Sequence, residues 1–176
     1  ISGLILLIER PISVGDLVEV EGHVGRVLEI RMRATLINTL DNVAIIVPNS
    51  LFIQNKVVNW SHGDLRIRLK TPVGVAYGSD LAAVTEALLK AAREHPDTLK
   101  QPEPEVRFIS FGDSSLDFEL LSWIGRPERQ YIIQSELNYA IDSAFREAGI
   151  SIPFPQRDLH LMPGPAVDAL AGRQEC

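Results

Sequence analysis

The sequence predicts an α+β fold in two consecutive units, a small five-stranded β barrel followed by a βαββαβ unit. Three observations carry this expectation. Between Ser13 and Trp60, five short apolar or alternating runs are separated by turn residues, the spacing of a small barrel. From Leu65 onward, strand-like runs alternate with two segments of helical periodicity. Between the two regions, Ser61-His62-Gly63-Asp64 fits neither pattern and marks the boundary.

In the first unit Asp16–Glu21 alternates polar and apolar residues, and Gly22-His23-Val24-Gly25 supplies turn chemistry. Arg26–Arg31 and Ala34–Thr39 follow, then the turn pair Asp41-Asn42. Val43–Val47 is a continuous apolar run closed by Pro48-Asn49, and Lys56–Trp60 is the fifth strand. A barrel of this size is Sm-like or OB-like.

The second unit opens with a strand over Leu65–Ala76. Ser79 is placed to cap a helix over Asp80–His95, with Leu81, Val84, Leu88 and Ala92 on its apolar face and Pro96 beyond its end. Pro104–Phe111 and Ser115–Trp123 form a hairpin around Gly112-Asp113. Pro127 starts a second helix, with Ile133, Leu137, Ile141, Ala144 and Ala148 at helical spacing and Gly149 at its end. Arg157–Met162 is the final strand, which completes the ferredoxin-like order. In that order the first and third strands are neighbours. The basic row Arg66, Arg68, Lys70 is therefore expected to pair with the acidic row Asp117, Glu119. Residues 163–176 are rich in Pro, Gly and Ala and are expected to be flexible.

Composition narrows the chemistry. A chain of 176 residues, 45% hydrophobic and 23% charged, builds a globular core without disulfide staples. Its one cysteine, Cys176, excludes internal disulfides and thiolate zinc sites. Up to His62 there are 5 basic and 6 acidic residues, and after it 12 and 17, for a net charge of −6. Neither unit is a basic, phosphate-binding module. His23, His62, His95 and His160 are scattered without ligand spacing, so neither a metal nor a cofactor is expected. Ser114-Ser115 sits in a turn with no nucleophile elbow around it.

Both expected folds have RNA-binding relatives, and Val106–Gly112 carries aromatics at alternate positions, as a base-stacking strand does. That strand lacks a basic-glycine-aromatic start, and Gly22-His23-Val24-Gly25 lies between strands, whereas a KH loop joins helices. An RNA-binding Sm/RRM-like module is the alternative reading. A small α/β enzyme working through Ser114, Asp117 or Glu119 is the third.

The first eight residues, Ile1–Ile8, are almost wholly apolar. As a helix they span about 12 Å, against about 30 Å for a bilayer core. They form either a buried terminal element or the end of a longer apolar segment.

Four stretches together resemble the small-conductance mechanosensitive channels, the MscS-like family. Ser2-Gly3 and the apolar run into Arg10-Pro11-Ile12-Ser13-Val14-Gly15-Asp16 resemble the end of the pore helix turning into the β domain. Val47-Pro48-Asn49-Ser50 is similar to that domain's proline-asparagine motif. Val73–Asp80 is similar to the start of the α/β domain, with Gly78 where many relatives carry Asp. Ala148–Gln156 is similar to the segment before the final strand.

The resemblance implies a multi-pass channel of the cell inner membrane, with this chain on the cytoplasmic side. Membrane tension opens such channels to release ions and small osmolytes on hypo-osmotic shock. It implies a homoheptamer that reaches the lipid bilayer through helices preceding Ile1, with no nucleic-acid partner, no cofactor and no enzymatic activity. Residues 1–11 are then the end of a pore-lining helix, with Gly3, Arg10 and Pro11 at its elbow. Residues 12–62 form an Sm-like β domain with Gly15, Asp16, Pro48 and Asn49 as turn residues. Residues 63–162 form a ferredoxin-like domain. Its last strand, Asp158, Leu159, His160, Leu161 and Met162, joins the other copies in a parallel barrel. The acidic balance leads us to expect a mild preference for cations.

Overall fold

Strands β1 (Leu17–Val20) and β2 (His23–Ile30) are joined by the two-residue loop Glu21-Gly22. Its φ values of 49° and 81° give the hairpin geometry that matches the twist of the flanking strands. His23-Val24-Gly25 therefore belongs to a strand and not, as expected, to a turn. Gly25 is needed there for space: a Cβ would lie 2.5 Å from the Asn38 carbonyl oxygen and 2.7 Å from Ile37 Cγ2 on the next strand.

The computed structural model describes residues 11–160 and 162, so Gly3, Arg10, Leu161 and the 163–176 tail lie outside the described residues. In the first unit β3 (Ala34–Thr39), β4 (Ala44–Pro48) and β5 (Val58–Asn59) complete an antiparallel sheet of order β4-β3-β2-β1-β5. A short helix, α1 (Asn49–Gln54), replaces the simple turn expected after Pro48. Only Asn49 and Phe52 of it are buried, so it has no apolar periodicity to read. Ile12, Val18, Val20, Val27, Ile37 and Phe52 form the core of this unit. Val18 and Ile37 are fully buried, which stabilises the fold by about 1.5–3 kcal/mol each.

The second unit has its own core. Strands β6 (Ile67–Val75), β7 (Glu105–Phe111) and β8 (Leu116–Ile124) make an antiparallel sheet of order β6-β8-β7. Helices α2 (Leu81–Glu94) and α3 (Gln130–Ala148) pack against one face of it; a 3₁₀ turn over Pro127–Arg129 leads into α3. Leu116, Phe118, Leu120 and Ile124 of the central strand are buried against the helices. Val84, Leu88, Ile141 and Phe145 meet the middle of β8, while Ile133 and Leu137 meet Leu69 and Ile124. Leu81 and Ala148, expected on the apolar faces, are exposed at helix ends, and Phe145 takes the inward place. Gln134 Nε2 donates to Thr71 Oγ1 at 2.8 Å, which ties α3 to β6 through a buried hydroxyl.

Three further expectations are corrected. The α2 cap is Asp80, whose Oδ1 accepts from the N–H groups of Ala82 (2.9 Å) and Ala83 (3.4 Å). Ser79 Oγ instead donates back to the Ala76 carbonyl at 2.6 Å. The two charge rows do not face each other. β6 and β8 are neighbours, but their register sets Arg68 opposite Trp123, Lys70 opposite Leu121, Pro72 opposite Glu119 and Gly74 opposite Asp117. Alternation fixes the face of a residue; only register fixes its partner. Arg68 lies over the Trp123 ring, 5.9 Å from its centroid. Finally, 157–160 form no strand and join neither sheet. They are exposed, and a segment without a neighbouring strand has nothing to hold its backbone in a ladder.

The cap assignment has a direct test. Asp80→Ala is expected to lower stability in urea unfolding by about 1 kcal/mol, because two helix N–H groups lose their acceptor. Ser79→Ala should cost clearly less.

Candidate functional site

Of the residues singled out by sequence, Pro11, Gly15, Asp16, Pro48 and Asn49 fall at two junctions of the first unit, whereas Asp158–His160 and Met162 lie beyond the last helix. At the first, the incoming chain is fixed before β1 begins. Asp16 closes a turn on Ser13: the Ser13 N–H donates to Asp16 Oδ2 at 2.9 Å and the Asp16 N–H to the Ser13 carbonyl at 3.1 Å. Gly15, at φ 94°, makes that turn with no strain, as a side-chain-bearing residue could not. Its N–H donates to the Val27 carbonyl at 2.8 Å, and its carbonyl accepts from Arg26 Nη1 at 2.6 Å.

Asn59 at the far end of the unit holds the same turn. Its Nδ2 donates to Asp16 Oδ2 at 2.7 Å and to the Pro11 carbonyl at 3.3 Å. Its Oδ1 accepts from the Ser61 N–H at 3.0 Å. These partners allow only one orientation of the amide, since a carbonyl can only accept and an N–H only donate. Ser61 Oγ then accepts from the Leu17 N–H at 2.8 Å, and the Trp60 N–H donates to the Leu17 carbonyl at 2.8 Å. The way into the β unit and the way out of it are thereby one hydrogen-bonded joint. Sequence reasoning placed Gly15 and Asp16 in a turn but gave no role to Asn59 or Ser61. Their partners are more than forty residues away, so no local signal could show them.

The second junction is buried. Asn49 is 0% exposed and is hydrogen-bonded through its side-chain oxygen, its side-chain nitrogen and its backbone N–H. Its Oδ1 accepts from Thr35 Oγ1 at 2.8 Å, its Nδ2 donates to the Arg31 carbonyl at 2.8 Å, and its N–H donates to the Arg33 carbonyl at 2.9 Å. Pro48, extended at φ −56° and ψ 133°, turns the chain from β4 into α1 so that Asn49 meets the β2–β3 loop. A buried amide and hydroxyl that satisfy each other are costly to break singly.

Elsewhere several charged groups are used locally. Three arginines fold back on carboxylates two residues away: Arg31 on Glu29, Arg66 on Asp64 and Arg107 on Glu105. The guanidinium hydrogen bond holds each of these carboxyls below its ordinary range. At Asp64 the Arg66 backbone N–H adds to the effect. All three pairs are exposed, so solvent screens them and they do little for stability.

The candidate catalytic groups serve the hairpin between β7 and β8. Asp117 accepts from Ser110 Oγ at 3.0 Å and Ser115 Oγ at 2.7 Å, and Ser114 Oγ accepts from the Gln156 N–H at 3.0 Å. Glu119 stands opposite Arg107 on β7. Among the described residues no group of three or more His, Cys, Asp or Glu side chains could hold a metal ion. No helix among them is long and apolar enough to cross a membrane.

The two structural units coincide with two sequence families. Residues 1–62 match the family described as "Mechanosensitive ion channel, beta-domain", and residues 69–152 match "Mechanosensitive ion channel MscS, C-terminal". The chain belongs to the MscS family of mechanosensitive channels. Mechanosensitive channel MscK of Escherichia coli is 45% identical over 161 residues, which are 92% of this chain and 14% of that protein. The miniconductance mechanosensitive channel MscM of the same species is 34% identical over 174 residues, 99% of this chain and 15% of that protein. The crystal structure of Helicobacter pylori MscS in its closed state superposes with a TM-score of 0.82 at 26% identity, over 93% of this chain and 64% of that one. The chain thus spans about a seventh of the length of these two Escherichia coli relatives. Its α+β fold with antiparallel sheets is the MscS fold. The RNA-binding alternative finds no support in these matches.

The Asn59 joint lies where Pro11–Asp16 enter the β unit, and its strength is measurable. Asn59→Ala is expected to cost about 1–2 kcal/mol in chemical unfolding. Asn59→Asp should cost more, because a second carboxylate then faces Asp16 where an amide donated.

Proposed function

We propose that this chain is the cytoplasmic part of a tension-gated channel of the inner membrane, through which ions and small osmolytes leave the cell on hypo-osmotic shock. The observation that carries the reading is the match of two channel families in order, one to each structural unit. Residues 1–11 are read as the end of a pore-lining helix, with Gly3, Arg10 and Pro11 at its elbow. Residues 12–62 are then an Sm-like β domain and 63–162 a ferredoxin-like domain with 163–176 as its tail.

The sheet order of the first unit supports a ring. β4 and β5 are its two edges, and neither has an outer partner among the described residues. Pairing β4 of one copy with β5 of the next is a head-to-tail contact, which closes into a ring when the rotation permits. Ile46 on β4 is 70% exposed, an apolar edge residue of the kind that a neighbouring copy covers. Seven copies complete this ring. The segment Asp158–Met162 then gains strand partners from the other copies, in a parallel barrel at the base. Tension on the pore helix reaches the joint of Pro11, Asp16 and Asn59 before any other part of the chain, and the same joint passes it to the linker into the second unit.

The full-length gene product carries the test. Native mass spectrometry in detergent is expected to give seven protomers, and excised membrane patches should show current that rises with applied suction. A protein without pressure-dependent current contradicts the reading.

A further inference from the structure

His23, His62 and His160 are exposed; the side chain of His95, just past the end of α2, is only 6% exposed. The hydrogen bonds around it define its tautomer. Nδ1 lies 3.2 Å from the backbone N–H of Asp97, which can only donate, so Nδ1 must present its lone pair. The ring proton therefore sits on Nε2, where it is donated to Glu136 Oε2 of α3 at 3.0 Å. Arg129, in the turn before α3, pairs with the Asp97 carboxylate and lies 3.7 Å from Glu136 Oε1. Four side chains thus tie the end of α2, the loop after it and the start of α3 into one cluster.

We propose that His95 is a proton-operated latch on the loop Asp97–Pro104, which leads into the edge strand β7. A second proton can be added only at Nδ1. There it converts the acceptor of the Asp97 N–H bond into a donor, and that bond breaks. The new Nδ1–H needs an acceptor of its own. The nearest carboxylate on the same loop is that of Asp97, which Arg129 already holds. Either Asp97 turns away from Arg129 to meet the imidazolium, or its backbone moves away from it. Asp97 moves in both cases, while the bond to Glu136 becomes an ion pair and keeps α2 against α3.

The charged surroundings do not relieve this conflict. From α3 the group that meets the ring is Glu136, and from the 3₁₀ turn Arg129 approaches through its two carboxylate partners. Glu94 and Lys90 of α2 and Glu147 of α3 line the cleft beside the ring, and Lys90 and Glu147 are paired at 3.0 Å. From the sheet, β8 reaches the loop through Ile124 and the Trp123 carbonyl, which do not titrate. That cleft, about 320 Å³ between α2 and α3, gives water and protons a path to His95. The loop has little else to hold it. Its other ties are the Thr98 bridge to Ile124, the Thr98 N–H on the His95 carbonyl at 3.2 Å and the Leu99 N–H on the Trp123 carbonyl at 2.8 Å.

The test is an NMR titration of the 176-residue chain from about pH 8 to about pH 5, the range in which imidazoles change charge. The imidazole nitrogen shifts of His95 should show Nε2 protonated and Nδ1 bare at the upper end. As Nδ1 gains its proton, hydrogen-exchange protection of Asp97, Thr98 and Leu99 should fall at least tenfold after correction for intrinsic exchange, with α2 unaffected. His95→Asn places an amide oxygen where Nδ1 was, so it accepts from the Asp97 N–H but cannot titrate, and its loop protection should stay flat. An Nδ1-protonated tautomer at the upper pH, or wild-type protection that does not change through the His95 titration, overturns the proposal without recourse to the variant.

Discussion

One side-chain amide, that of Asn59, holds the chain where it enters the β unit to the chain where it leaves. The short strands at the end of that sheet rely on this closure. β1 has only four residues and β5 only two, too short to hold a sheet edge by ladder bonds alone. Asn59 adds side-chain bonds to Pro11, Asp16 and Ser61 at the place where the ladder is weakest. Ser61 adds a bond to Leu17 from the side of the linker. Two chain segments more than forty residues apart thereby behave as one backbone crossing.

This geometry suits a module that receives force at one end. Hydrogen bonds loaded together share a pull, whereas a row loaded one after another opens like a zip. Asn49 does a related task inside the unit, where its Oδ1, Nδ2 and backbone N–H fix α1 to β3 and the β2–β3 loop. The second unit is built differently. Its core is formed by the inward row of β8 against two helices, and neither of its hydrophobic clusters includes a residue of the first unit. Among the described residues the two units share no hydrophobic cluster, and the chain runs from one to the other through Ser61–Leu65.

Much of this architecture was legible. β3 forms over Ala34–Thr39, the residues its alternation marks, and α3 ends at Gly149 as the helix pattern requires. The mechanosensitive-channel family was legible too, because motifs such as Val47–Ser50 and Ala148–Gln156 fall where one element ends and the next segment begins, and backbone geometry there restricts the residue. What was hidden has a common cause, dependence on partners distant in sequence. Arg68 and Glu119 were placed on the correct strands but given the wrong neighbours, since register is decided by the whole β6–β8 pairing. His95 looked like one of four scattered histidines, because its burial comes from a helix forty residues away. α1 went unseen because six residues with one buried aromatic leave no periodic trace.

The claim on which most depends is that the incoming and outgoing segments of the β unit open together. Native-state hydrogen exchange at the amides of Ser13, Leu17 and Ser61 addresses it directly, since each donates to an oxygen within the Asn59 joint. The three amides are expected to share one opening free energy and to lose protection by the same factor when Asn59 is replaced by alanine. Ser13 exchanging far faster than Ser61, and unaffected by that replacement, would contradict the account.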